Sequence, residues 1–273
     1  MDLSQFSELH LSLLEEGRVL SLELNHGKAN ECGRVQLREL EQLIEGIEGD
    51  ASIRGLVVSA TKVTRSGKPI FISGANVTER VGWSDEDVFA HVAWQRSLMK
   101  RLAALPVFVV MVADGLALGL GTEMLLCADW RIATPRARFA LPETGLGIIP
   151  GARGSAQLAA LVGPANALYL GMTGAMIDVD EALDMGLVNE GAGDNAAGIA
   201  RALDILKMTF TRSPKALAAY KRVVKSGVGR DDDGRDALEA EAYEGLVKGG
   251  EAAIGRAHFK DIRAGITPPW GQR

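Results

Sequence analysis

Gly115-Leu116-Ala117-Leu118-Gly119-Leu120-Gly121-Thr122-Glu123 is the stretch on which the reading of this chain turns. It follows residues 107–113, a short and continuously apolar run that reads as a buried strand. It opens onto residues 122–128, which read as helical. A dinucleotide fingerprint in this place would be G-x-G-x-x-G. The glycines at 115, 119 and 121 have a different spacing, and no Lys-Ser/Thr pair follows, so nucleotide binding is only weakly supported. Two other readings stand side by side. The glycines permit close packing, or the unpaired N–H groups of a helix start hold developing negative charge such as an oxyanion. Glu123 sits in the first helical turn beside Met124, Leu125 and Leu126. It serves the helix dipole there, or, if buried, it has a raised pKa suited to acid–base work.

Upstream, residues 18–24 alternate apolar and polar and read as a half-buried strand. Leu37, Leu40, Leu43, Ile44 and Ile47 recur at helical spacing over residues 35–47. Residues 55–60 are a second buried strand, and 70–72 a strand stub ending at Ser73-Gly74-Ala75-Asn76. Ser84 with Asp87 predicts a capped helix that stops before Pro106. Downstream, 130–133 and 138–140 are strand-like, and 142–154 is a long loop rich in glycine and proline. From residue 156 the pattern is mostly helical. A short helix at 180–185, a strand at 186–189, a linker-like break at 191–198 and a polar turn at 226–234 interrupt it. Asp231-Asp232-Asp233 reads as a solvated turn.

Length and composition bound the function. The chain has 273 residues, 47% of them hydrophobic and 24% charged, with a net charge of -5. That excludes a disordered or collagen-like protein and disfavours one that binds nucleic acid through its phosphates. Two cysteines, Cys32 and Cys127, fit a reducing compartment. Residues 1–8 carry acids where a targeting peptide wants bases, so a cytoplasmic location is expected. The greasiest stretch, 102–120, is interrupted by Pro106, Asp114 and its glycines, so it reads as a buried strand and helix and no membrane partner is expected. The four histidines form no ligand cluster, so no metal is expected. No G-x-S-x-G elbow occurs. Trp83, Trp94 and Phe89 read as core or lid. Glu143, in the 142–154 loop, lies twenty residues beyond Glu123. The two meet only if the fold brings them together, and paired carboxylates in different environments divide acid and base roles.

Three segments taken together resemble the crotonase (enoyl-CoA hydratase/isomerase) family. They are Ile72 to Asn76, Gly115 to Glu123, and Phe139 to Gly151; Gly174 to Ile177 with Ala182 and Gly186-Leu187-Val188-Asn189 extends the likeness. The resemblance covers residues 15–265 and is strongest over 70–190. It implies an α/β fold, a spiral of strand–strand–helix turns (1–195) with a helical C-terminal trimerisation region (196–273). It implies a homotrimer or homohexamer, and a ligand that is an acyl-CoA thioester, with no separate cofactor. By the same likeness Ala75 and Leu120 supply the oxyanion-hole N–H groups, and Glu123 and Glu143 are the catalytic pair. Gly151 helps hold the water, while Lys28, Ala29 and Asn30 line the CoA nucleotide. Ser73, Gly74 and Gly119 complete the substrate-binding set.

The chain departs from the family pattern at several places. Leu120 replaces a glycine and is expected to narrow the acyl channel. Asn76 stands for an aspartate, Asp114 for an asparagine and Leu141 for a glutamine. His26-Gly27 stands where an arginine–proline is usual, and the 61–69 loop is longer. Lys62, Arg65 and Lys68 in that loop either meet CoA phosphates or are simply solvated. The reading favoured is a 2-enoyl-CoA hydratase. The alternatives are another crotonase reaction, isomerisation or decarboxylation, and a non-catalytic binding protein.

Overall fold

A computed structural model describes residues 2–273. β1 (Leu9–Leu14) and β2 (Val19–Leu24) form an antiparallel hairpin whose turn uses left-handed Glu15, Glu16 and Gly17. After α1 (Arg34–Gly49) the chain repeats one pattern three times. Each turn gives a strand to a large sheet, a strand to a small sheet, and then a helix. The first is β3 (Gly55–Ala60), β4 (Ile70–Ile72) and α2 (Asp85–Ala104); the second is β5 (Phe108–Ala113), β6 (Leu116–Leu118) and α3 (Leu120–Leu125). The third is β7 (Trp130–Ala133), β8 (Arg138–Ala140) and α4 (Gly154–Thr173), which breaks at Gly163-Pro164. The short α5 (Val179–Asp184) leads to β9 (Glu190–Gly191). The large sheet has the order β1-β2-β3-β5-β7-β9 and is parallel after its first hairpin; the small sheet is parallel, in the order β4-β6-β8.

Burial explains why the strands read as they do. Every residue of β3 is buried, because the large sheet is covered on both faces. The main core packs α1 and α2 side chains such as Leu37, Leu43, Leu98 and Leu102 against Leu20, Leu56, Val109 and Phe71. A smaller core on the opposite face joins Val19, Val57, Val110, Val112 and Ile132 to Ala202 and Leu206 of α6 (Asn195–Lys207). The C-terminal region therefore supplies one of the sheet's two coverings. α7 (Pro214–Gly227) pairs with α8 (Asp232–Lys248), and the short α9 (Glu251–Ala257) and α10 (Phe259–Arg263) follow. Lys221 and Lys225 of α7 both grip Asp129 at 2.6 Å, just beyond the end of α3.

Several boundaries differ from the sequence reading. β1, where Leu9, Leu11 and Leu13 alternate with His10 and Ser12, is an additional strand that completes the hairpin with β2. β6 lies inside the glycine-rich stretch, where three residues suffice to bridge β4 and β8. Residues 186–189 are not a strand; the pairing with β7 falls on Glu190–Gly191. The break expected at 191–198 is already helical from residue 195, where Asp194 caps α6 through the Ala197 N–H. Among the described residues no helix is long and apolar enough to cross a membrane.

Candidate active site

The carboxyl ends of the small sheet's three strands converge. Ile72 pairs with Ala117 across β4 and β6, so Ala75 and Leu120 each lie three residues beyond one matched pair. Gly74 (φ 125) and Gly119 (φ 51) precede them in backbone conformations that favour glycine. Cys32 fixes the first segment from its other side. Its N–H donates to the Gly74 carbonyl at 2.9 Å, and its carbonyl accepts the Asn76 N–H at 2.9 Å. This ladder leaves the Ala75 N–H pointing away from Cys32. Leu120 is the first residue of α3, where an N–H has no helical partner. Among the described residues neither amide has an acceptor. Both residues line a cavity of about 950 Å³.

Two carboxyls face the same cavity. Glu123, 3% exposed, lies in the first turn of α3. Its Oε1 accepts the N–H groups of Ala152 at 2.8 Å and Gly154 at 2.7 Å. Burial pushes this carboxyl up to about 7; the Gly154 N–H opposes the push and the neighbouring Glu143 adds to it. Glu143 opens the 3-10 turn Glu143–Leu146 that follows β8. Its Oε2 is buried without a partner, and burial raises its pKa. Apolar side chains, among them Val92, Phe89, Leu118 and Ile149, form much of the remaining wall.

The glycines of this stretch have different surroundings. A Cβ at Gly115 would collide with the Pro69 carbonyl, and one at Gly121 with the Ile72 carbonyl, so those two permit close packing. Gly119 shapes the cavity instead. Leu120 is buried with its residue on the cavity wall, and Ser73, Gly74 and Gly151 also line it. Ser73 donates its N–H to the Ala29 carbonyl at 3.3 Å, which holds residues 28–30 beside the Ala75 segment. Lys28 is exposed and Ala29 half-buried, and neither is on the cavity wall.

Asn30 is a correction. Its side chain is turned into the fold, not toward a ligand. Nδ2 donates to the carbonyls of Leu24, Ile70 and Phe71, and Oδ1 accepts the His26 N–H at 2.8 Å. It ties the end of β2 to β4. The Lys62–Lys68 loop closes on itself through Thr64 and Lys68; Arg65 and Lys68 are exposed and lie off the cavity wall. Sequence reasoning missed Ala152 and Gly154, the donors that hold Glu123. The glycine-rich loop was the available signal, since a backbone N–H leaves no mark of its own. Burial pushes both cysteine thiols up to about 12, which fits inert core residues. Among the described residues no cluster of metal-binding side chains occurs.

The family model for enoyl-CoA hydratase/isomerase matches residues 15–272. The chain belongs to this family. It is 32% identical over 238 residues to the short-chain-enoyl-CoA hydratase of Clostridium acetobutylicum, covering 86% of this chain and 89% of that protein. It is 30% identical over 264 residues to the mitochondrial methylglutaconyl-CoA hydratase of Rattus norvegicus, covering 94% and 82%. Among solved structures, an enoyl-CoA hydratase from Bacillus anthracis superposes with a TM-score of 0.85 at 30% identity, covering 97% of this chain and 99% of that one. The three repeated turns are thus the crotonase spiral, followed by a helical C-terminal region.

Proposed function

We propose that this crotonase-family chain hydrates a 2-enoyl-CoA thioester to a 3-hydroxyacyl-CoA. The observation that carries the reading is the shared cavity, with amides at Ala75 and Leu120 that have no acceptor among the described residues, the buried carboxyl of Glu123 and the half-buried carboxyl of Glu143. The thioester oxygen accepts both amides and so bears the enolate charge. Glu123 takes a proton from water as the water oxygen bonds to the β-carbon. Glu143 gives its proton to the α-carbon. Burial raises the pKa of both carboxyls, that of Glu123 to about 7. With a proton on Glu143 the site is set for hydration; with one on Glu123, for the reverse elimination.

The two environments suit these roles. Two N–H bonds to Glu123 Oε1 offset part of the burial that raises its pKa to about 7, and they hold that oxygen in place. The partnerless Oε2 of Glu143 favours a proton-bearing carboxyl. Apolar walls exclude bulk water from the enolate. The only small molecule the reaction needs besides water is the acyl-CoA itself. We further propose a cytoplasmic homotrimer or homohexamer. Exposed Leu168, Tyr169 and Met172 on α4, with Met176 beyond it, offer the apolar surface such an assembly would cover.

Incubation with crotonyl-CoA, followed by mass analysis, tests the reaction. A gain of one water is the result expected. An unchanged mass with a moved double bond would indicate isomerisation, and loss of carbon dioxide from a malonyl-type thioester would indicate decarboxylation; either would replace the hydratase reading.

A further inference from the structure

Not all of the cavity wall is accounted for by a hydrocarbon chain. Arg80 ends the 3-10 turn Val77–Arg80, which begins two residues after Ala75. Gln95 lies on α2, one turn beyond Val92 on the same face, and both line the cavity. Gln95 is 3% exposed. The Arg80 Nη2 donates to the Gln95 Oε1 at 3.2 Å, which fixes how the two side chains face each other. Their other donors are idle: Arg80 Nε and Gln95 Nε2 are both buried without a partner.

No carboxylate pairs with Arg80 among the described residues. The nearest one that it senses is Glu79, whose two oxygens already accept the Arg34 N–H and the Asn76 side-chain amide. Burial of a guanidinium and an amide with unused donors is unfavourable unless an acceptor arrives. An alkyl tail in this cavity cannot supply one. A planar carboxylate can take the Arg80 Nε–H and the Gln95 amide together, as charge-assisted bonds. Arg153 also lines the cavity, and among the described residues it has no ion-pair partner.

We propose that the preferred substrate is a 2-enoyl-CoA whose acyl chain ends in a carboxylate, received by Arg80 and Gln95. The proposal rests on the hydratase reading for its chemistry, and on Arg80 and Gln95 alone for its specificity.

Two measurements separate the specificity from the reaction. In the first, kcat/KM is compared for glutaconyl-CoA, its ω-methyl ester and 2-pentenoyl-CoA, all of one chain length. The charged substrate is expected to be at least tenfold better than either neutral one. In the second, binding of saturated glutaryl-CoA and pentanoyl-CoA is measured by calorimetry, which needs no turnover. Glutaryl-CoA is expected to bind at least tenfold more tightly. Gln95→Leu and Arg80→Lys should each erode the preference for the charged ligand in both measurements. Equal or weaker binding of glutaryl-CoA would overturn the proposal even where crotonyl-CoA is hydrated. Tight glutaryl-CoA binding without hydration of any enoyl-CoA would keep the specificity and overturn the reaction. A preference that survives both substitutions would also overturn the assignment to these two residues.

Discussion

The carboxyl of Glu143 rests against the bare Cα of Gly119: a Cβ at that glycine would stand 2.6 Å from Glu143 Oε1. The contact joins the end of β8 to the start of α3 and sets this carboxyl beside the amide of the next residue, Leu120. Gly119→Ala must therefore displace the carboxyl or strain a left-handed backbone. Misplacing a reacting group by about 1 Å can cost on the order of 100-fold in rate. The variant should keep its fold by circular dichroism and lose roughly that factor in kcat for crotonyl-CoA. A rate within a factor of two of the parent would show that the contact is unimportant.

Glu123 couples stability to pH. Its folded pKa, about 7, lies above the ordinary value of 4.5. The folded chain thus holds the proton more tightly than the unfolded chain. Its contribution is fully present below pH 4.5 and is lost as pH rises to about 7. At 1.36 kcal/mol per pKa unit, the full loss is about 3 kcal/mol. Glu123→Gln keeps an oxygen for the Ala152 and Gly154 N–H groups and cannot ionise. Urea unfolding at pH 5 and pH 8 should show a smaller decline for the variant than for the parent, together with hydration lowered by orders of magnitude. Parallel declines in the two proteins would place the ionisation cost elsewhere.

Glu143 raises the pKa of Glu123 through its charge. Glu143→Gln should bring the Glu123 titration below about 7, as followed by infrared or carbon NMR of labelled carboxyls. It should also lower hydration by orders of magnitude. A Glu123 titration that does not move would mean that the two carboxyls do not sense one another.

Asn30→Ala separates structure from ligand binding. It removes an acceptor from the His26 N–H and a donor from three buried carbonyls. Each buried group left unpaired costs on the order of 1–3 kcal/mol, so a loss of at least about 2 kcal/mol is expected in denaturant unfolding. Unchanged stability with a large rise in KM for the thioester would restore Asn30 as a ligand contact.

Much of the spiral was legible in the sequence because its parts are locally determined. β3 and β5 are continuous apolar runs, α1 repeats its apolar residues at helical spacing, and α2 is marked by its Ser84 cap and the proline at 106. β6 was not, because it lies inside a glycine-rich stretch that reads as a connection, and β9 was not, because two residues leave no periodicity. The meeting of Glu123 and Glu143 was visible only through resemblance, since it depends on β6 and β8 lying side by side. The purpose of Asn30 was hidden for a related reason: an amide that ties three carbonyls looks, in sequence, like any polar residue in a turn. Arg80 and Gln95 face one another from a 3-10 turn and a helix fifteen residues apart, a pairing that no spacing rule marks.

The central claim is that the amides of Ala75 and Leu120 jointly grip the thioester oxygen between the two glutamates. A crystal structure with butanoyl-CoA, which cannot be hydrated, tests it most directly. The account predicts a thioester oxygen about 3 Å from both nitrogens, with the α- and β-carbons lying between the carboxyls of Glu143 and Glu123. A thioester carbonyl turned away from either amide, or an acyl chain seated outside this cavity, would contradict it.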